Sequence, residues 1–104
     1  MNWESKENRR LLQAILSLET LNEAKCFLRD LMTERELEEF AKRIKTAEML
    51  SKKVPYSVIE KKTGFSSTTV ARVSKWLNNG EGGYKKIFNK MHHHKSIQVG
   101  RGLS

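Results

Sequence analysis

Hydroxyl and basic side chains crowd into one stretch of this chain, in a pattern suited to binding a nucleic acid. Four hydroxyl residues stand in a row from Ser66 to Thr69, with basic residues on both sides. Short hydroxyl side chains can approach base edges or phosphates in the major groove, and threonine methyls can contact thymine. Lysine and arginine neutralise phosphates. The pattern predicts base contacts from Ser67, Thr68 and Thr69, with Ser66 beside them. It predicts phosphate contacts from Lys61, Lys62, Arg72 and Lys75.

Two short helices must position these side chains. The stretch Tyr56–Asn78 predicts one helix ending at Gly64 and a second helix capped by Ser66 or Ser67. The apolar residues that would lock the two together are Ile59, Phe65, Val70 and Val73. This is the layout of a helix-turn-helix, whose second helix enters the major groove. A purely structural helical hairpin is the competing interpretation.

The charge of the chain favours a polyanionic partner. The formal net charge is +8, and residues 54–78 hold four basic residues against one acidic residue, Glu60. Glu60 occupies a place where such motifs usually keep a small residue. The basic balance is typical of proteins that bind duplex DNA.

Other kinds of site have little support in the sequence. The single cysteine, Cys26, excludes an intrachain disulfide and fits a reducing compartment, and we expect it to be a buried small hydrophobe. No metal-ligand spacing, phosphate-binding glycine loop or catalytic constellation is present, so we expect no metal site and no enzyme. No stretch predicts a leader peptide or a membrane span. We therefore expect a soluble cytoplasmic protein.

The remaining segments predict an all-α protein. A first helix spans about residues 5–18, and two S/T-x-x-E capping boxes, Thr20–Glu23 and Thr33–Glu36, begin the next two. The third helix runs to about Lys52 and ends before Pro55. A short helix, Tyr84–Met91, completes a helical domain of residues 1–91. We expect residues 92–104, with His92, His93 and His94, to form a flexible basic tail.

From Leu11 to about Asn79 the chain resembles the tryptophan-repressor superfamily, in particular its TrpR-related YerC/YecD branch. The residues that carry the resemblance are ILSLETLNEAKCFLRDLMTERELEEFAKRIKTAEML and KKTGFSSTTVARVSKWLNNG. The resemblance implies a TrpR-like, multi-helix fold that forms an intertwined homodimer. It also implies a DNA-binding transcriptional regulator, most often a repressor. A helical dimer would explain why the apolar stripes of the first three helices are rich for so small a monomer.

The same resemblance places a ligand pocket on this chain. Arg43 and Arg72 match the arginines that flank a bound indole, and Thr33 matches a position near the amino-acid ligand. Val73 and Trp76 stand where the repressor has a glycine and a serine, so they should fill the space. We expect either that Trp76 takes the place of free tryptophan or that the pocket is simply core, with Trp76 as a core residue. In both cases this vestigial pocket should not bind L-tryptophan, and we expect no other cofactor. Ser57 and Glu60 fall at positions that supply DNA contacts in the repressor, so the operator should differ.

Two other functions are also compatible with the sequence. The chain could be a helical protein-interaction module whose helix-turn-helix is structural. An RNA-binding role is favoured by the basic tail, but the second helix lacks aromatic residues on which bases could stack.

Overall fold

Six helices make up the protein in a computed structural model, which describes the backbone of residues 1–101 and the side chains of residues 1–93. The helices are α1 (Lys6–Leu16), α2 (Leu21–Leu31), α3 (Glu34–Ser51), α4 (Tyr56–Thr63), α5 (Ser67–Asn79) and α6 (Gly83–Arg101). No strand occurs in the described backbone. The predicted all-α class is confirmed. None of the helices in this described part has the length and apolarity needed to cross a membrane. The chain divides into two compact units, Met1–Glu38 and Glu39–Ser104.

The first unit has amphipathic helices but no buried side chain in α1 or α2. Ser5 caps α1 by accepting from the amide of Asn8, and Thr20 caps α2 by accepting from the amide of Glu23 at 3.0 Å. The Glu23 carboxylate reaches back to the amide of Glu19, one residue before the cap. Cys26 is exposed, so the expectation of a buried cysteine is wrong. The apolar stripe on which it borders has no covering layer within the unit.

The cap of α3 is the predicted box with both bonds made. The amide of Thr33 donates to the Glu36 carboxylate at 2.9 Å, and the amide of Glu36 donates to the Thr33 hydroxyl at 3.1 Å. At the other end the amide of Val54 donates to the carbonyl of Met49, which closes the last turn. That closure places Lys53 in the left-handed region, with φ 64°. The helix then stops before Pro55, as the sequence predicts.

The second unit holds the small core. Ala47 on α3, Ile59 on α4 and Val70, Val73 and Leu77 on α5 are buried. On α5 these residues recur at i, i+3 and i+7, which is one face of a helix. Phe65, predicted to join this core, is half-buried. These buried residues therefore pack one face of α5 against the neighbouring elements and leave its opposite face exposed.

Helix α6 is longer than the sequence predicted. It continues through His92 to Arg101, whereas we expected a helix ending at Met91 and a flexible tail from His92. No proline interrupts the run, and propagation of an established helix adds one hydrogen bond for each residue ordered. The helical backbone extends ten residues beyond Met91, and the flexibility of residues 92–104 stays a prediction. The last three predicted tail residues, 102–104, and the side chain of His94 lie outside the described residues.

Candidate nucleic-acid interface

The turn between α4 and α5 fixes where α5 begins. Gly64 ends α4 in the left-handed region, with φ 79°, and its amide donates to the carbonyl of Glu60 at 2.8 Å. The buried hydroxyl of Thr63 donates to the carbonyl of Ile59 at 2.8 Å and accepts from the amide of Phe65 at 3.1 Å. A single threonine thus joins both sides of the turn. The sequence indicates the role of Gly64 but not the hydrogen bonds of Thr63, which depend on its burial.

Two of the four hydroxyl residues build the start of α5. Ser66 is the N-cap and accepts from the amide of Thr69 at 3.2 Å, and the two hydroxyls lie 3.2 Å apart. Ser67 and Thr68 are exposed, and neither side chain forms a hydrogen bond within residues 1–93. The row therefore divides into a capping pair and an exposed pair.

One face of α5 points away from the core. Thr68, Arg72 and Lys75 are exposed and stand at i, i+4 and i+7, so they share a face of the helix. In residues 1–93, where side chains are described, Arg72 forms no ion pair. Among these described side chains, Arg72 is therefore not held by an acid of α3. The face offers a hydroxyl and two cations to a partner.

The basic residues of α4 extend this surface. Lys61 and Lys62 are exposed in its last turn, and Ser57 is exposed in its first turn. The ion pairs of the described side chains are Arg9–Glu4, Arg29–Glu34 and Arg43–Glu39. Lys61, Lys62 and Lys75 take part in none of these. In the part of the chain with described side chains, these lysines are therefore not held in ion pairs with acids.

The residues predicted to form a ligand pocket differ in their surroundings. Val73 is fully buried in the core, whereas Arg72 is exposed. Trp76 is 39% exposed, so it is not the core residue that we expected. Thr33 caps α3 in the first unit.

Arg43 is held between two aromatic rings. Its guanidinium carbon lies 5.2 Å from the ring centroid of Phe40 and 5.2 Å from that of Trp76. The guanidinium also donates to the Glu39 carboxylate at 2.8 Å. An arginine over an aromatic face is attracted by the ring quadrupole. This arrangement connects α3 to α5, and no pattern in the sequence indicates that Phe40 takes part.

Tyr84, at the start of α6, borders this cluster. Burial raises the pKa of the Tyr84 phenol above its ordinary value of 10.0, and the positive charge of Arg43 opposes that rise. Its ring stacks on Phe88 with centroids 5.7 Å apart.

Among the described residues no group of three or more histidine, cysteine or acidic side chains could hold a metal ion. The surface on α4 and α5 is thus suited to ionic and hydrogen-bonding contacts.

Comparison with known proteins gives one family. The profile of the family described as "Trp repressor protein" matches residues 6–92. An uncharacterized protein of Bacillus subtilis strain 168, YerC, is 37% identical over 86 residues, which cover 83% of each chain.

Solved structures agree with this match. The crystal structure of a TrpR-like protein from Eubacterium eligens is similar with a TM-score of 0.83 and 37% identity, over 86% of this chain and 93% of the other. A protein from Staphylococcus aureus, described as a candidate Trp repressor, gives a TM-score of 0.81 and 32% identity, over 88% and 95% of the two chains. The six helices thus have the arrangement of TrpR-like proteins.

Proposed function

Because the chain belongs to the Trp repressor family, we propose that it is a sequence-specific regulator of transcription, acting as a repressor, that binds duplex DNA. The observation that carries the proposal is the outward face of α5, where Thr68, Arg72 and Lys75 stand exposed at helical spacing. A helix with such a face, supported from behind by a packed helix, has the form that enters the major groove.

The two kinds of side chain have different tasks. Ser67 and Thr68 contact base edges, because they are exposed and short enough to let the helix lie deep in the groove. Ser66 and Thr69 hold the helix start, and in this proposal Thr69 also contacts DNA at that end. The phosphate contacts come from Lys61, Lys62, Arg72 and Lys75, and Ser57 adds a hydrogen bond from α4. Base contacts specify the sequence, whereas phosphate contacts position the protein.

A homodimer is the working form. The first unit leaves large apolar side chains uncovered: Leu16 is 83% exposed, Leu21 88%, and Ile15 44%. Apolar surface of this kind gains roughly 25 cal/mol per Å² when a partner covers it. In the intertwined arrangement that the family resemblance implies, the helices of one protomer cover those of the other. A two-fold axis then places two α5 helices in successive major grooves, about 34 Å apart.

L-Tryptophan is not required for this activity. The Arg43 guanidinium already stacks on the indole of Trp76, and Val73 fills the adjoining core. A free indole would have to displace a side chain that is attached to the helix. Isothermal titration should therefore give no heat of L-tryptophan binding, and micromolar binding would refute the proposal of a closed pocket.

A protein-interaction module is the second candidate, and the exposed apolar faces of α1 and α2 favour it. The salt dependence of duplex binding separates the two. Four basic residues from each protomer, or eight in the dimer, predict a slope of log K against log salt of up to about −7. Fluorescence anisotropy over a range of salt concentrations measures it. Absence of duplex binding at low salt would leave the interaction module as the better account.

A further inference from the structure

A cavity of about 590 Å³ lies in the second unit, away from the outward face of α5. Four elements surround it: the end of α3 with the following turn, the start of α4, the last turns of α5 and the first turns of α6. Its volume falls in the range of small-molecule sites. It includes none of the residues of the predicted vestigial pocket, Thr33, Arg43, Arg72, Val73 and Trp76.

Part of the wall of this cavity is apolar. Leu50, Val54, Leu77 and Phe88 contribute to it, and Leu77 is only 5% exposed. Phe88 is held in place by the stack of its ring on Tyr84. A surface of this kind accepts the hydrocarbon part of a ligand.

Polar and cationic groups complete the lining. Ser74 and Asn78 belong to α5, and the Asn78 amide donates to the carbonyl of Ser74 at 3.0 Å. Lys53 and Lys85 supply two positive charges, and none of the described lining residues is acidic. The cavity therefore combines an apolar wall with two lysines that form no ion pair among the described side chains.

Both lysines occupy positions where a different residue would make the fold more stable. Lys53 has φ 64°, in the left-handed conformation that glycine normally supplies after a helix. A non-glycine residue held there is strained, and such strain is often kept for function. Lys85 stands in the first turn of α6, which contains no acidic residue. The helix dipole disfavours a cation at that end. An anion in the cavity would offset both positive charges.

We propose that this cavity binds a small amphipathic organic anion, with its apolar group against Leu77 and Phe88 and its charge between Lys53 and Lys85. Because the cavity touches Tyr56 on α4 and Ser74 on α5, an occupant contacts both helices of the helix-turn-helix. Occupancy would change the affinity for DNA, and this second part rests on the proposed function. The cavity provides the chain with an effector site separate from the Arg43–Trp76 cluster.

Phenyl phosphate is a suitable probe, because it joins an aromatic ring to a phosphate. Isothermal titration of the full chain should show one site per protomer for phenyl phosphate, with weaker binding of inorganic phosphate and of benzyl alcohol. Equal affinity for phenyl phosphate and inorganic phosphate would overturn the proposal, since it would show that the apolar wall is not used. Absence of phenyl phosphate binding would overturn it as well.

Two pairs of variants locate the site. Lys53→Gly should weaken phenyl phosphate binding by about tenfold or more, the loss of one charge-assisted contact, and should raise Tm because it relieves the left-handed lysine. Lys85→Gln should weaken binding to a similar degree. The matched controls Lys52→Gln and Lys86→Gln lie beside these positions but do not line the cavity, and they should bind as the unaltered chain does. Equal losses in all four variants would show non-specific attraction and overturn the site.

The effect on DNA is measured separately, by anisotropy of a labelled duplex with and without saturating phenyl phosphate. A shift in duplex affinity that Lys53→Gly abolishes would support the coupling. Calorimetry without DNA reports on the cavity even if the chain binds no duplex. Duplex binding without any phenyl phosphate binding would reject the cavity site alone.

Discussion

Replacing Arg72 with alanine should weaken DNA binding without weakening the fold. Arg72 is exposed and forms no ion pair within residues 1–93, so its removal leaves neither a cavity nor an unpaired acid. Surface substitutions of this kind change stability by about 0.5 kcal/mol or less. Any large change in duplex affinity therefore reports on the contact with DNA.

The magnitude follows from the number of contacts. Each phosphate contact contributes about 0.9 to the slope of log K against log salt, and a dimer contains two Arg72 side chains. The slope should therefore become shallower by about 2. When the salt concentration rises approximately fourfold, the ratio of the duplex affinity of the unaltered protein to that of the variant should fall by about tenfold.

Anisotropy titrations on one specific and one random duplex test this reasoning, with Thr68→Ala as the comparison. Arg72→Ala should weaken binding to both duplexes, whereas Thr68→Ala should reduce the preference for the specific duplex and leave the salt slope unchanged. Arg35→Ala, on the exposed first turn of α3, is the control for loss of charge. An unchanged salt slope for Arg72→Ala, or equal losses on both duplexes for Thr68→Ala, would refute the division between phosphate and base contacts.

Three further predictions concern stability. A double-mutant cycle on Arg43 and Trp76, followed by denaturant unfolding, should give a coupling free energy of about 0.5–1 kcal/mol, and zero coupling would show that the stack is incidental. Gly64→Ala should destabilise the protein by about 1–2 kcal/mol, because alanine is strained at φ 79°, and an unchanged unfolding midpoint would contradict the left-handed cap. Burial raises the pKa of Tyr84 above 10.0, so its contribution to stability is present below that pH and is lost as the pH rises through the raised value. In the Tyr56→Phe variant Tyr84 is the remaining tyrosine, and its ultraviolet titration should have a midpoint above 10.0; an ordinary midpoint would show that Tyr84 is not buried as described.

The local signals of the sequence predicted the elements well. Capping residues, Pro55 and Gly64 act through bonds within a few positions of themselves, so they indicate where helices begin and end. The Thr33–Glu36 box and the Gly64 turn are both present in the structure. The end of α6 could not be predicted, because nothing in the segment after Met91 has the periodicity on which the prediction depends.

Contacts between residues that lie far apart in the sequence could not be predicted from it. The stack of Arg43 on Phe40 and Trp76 depends on the packing of α3 against α5, which no periodicity reveals. The cavity beside Lys53 requires four elements to meet, and its strained lysine is visible only as a backbone angle. The exposed state of Cys26 depends on whether a second layer covers α2, which is a property of assembly and not of the helix.

We propose that the exposed face of α5 binds a specific sequence of duplex DNA as part of a two-fold dimer. Selection of bound duplexes from a random pool, in the presence and absence of L-tryptophan, tests it most directly. We predict enrichment of a palindromic sequence whose half-sites are centred about 10 base pairs apart, recovered equally in both conditions. Recovery of no preferred sequence, or of a site without two-fold symmetry, would contradict the claim.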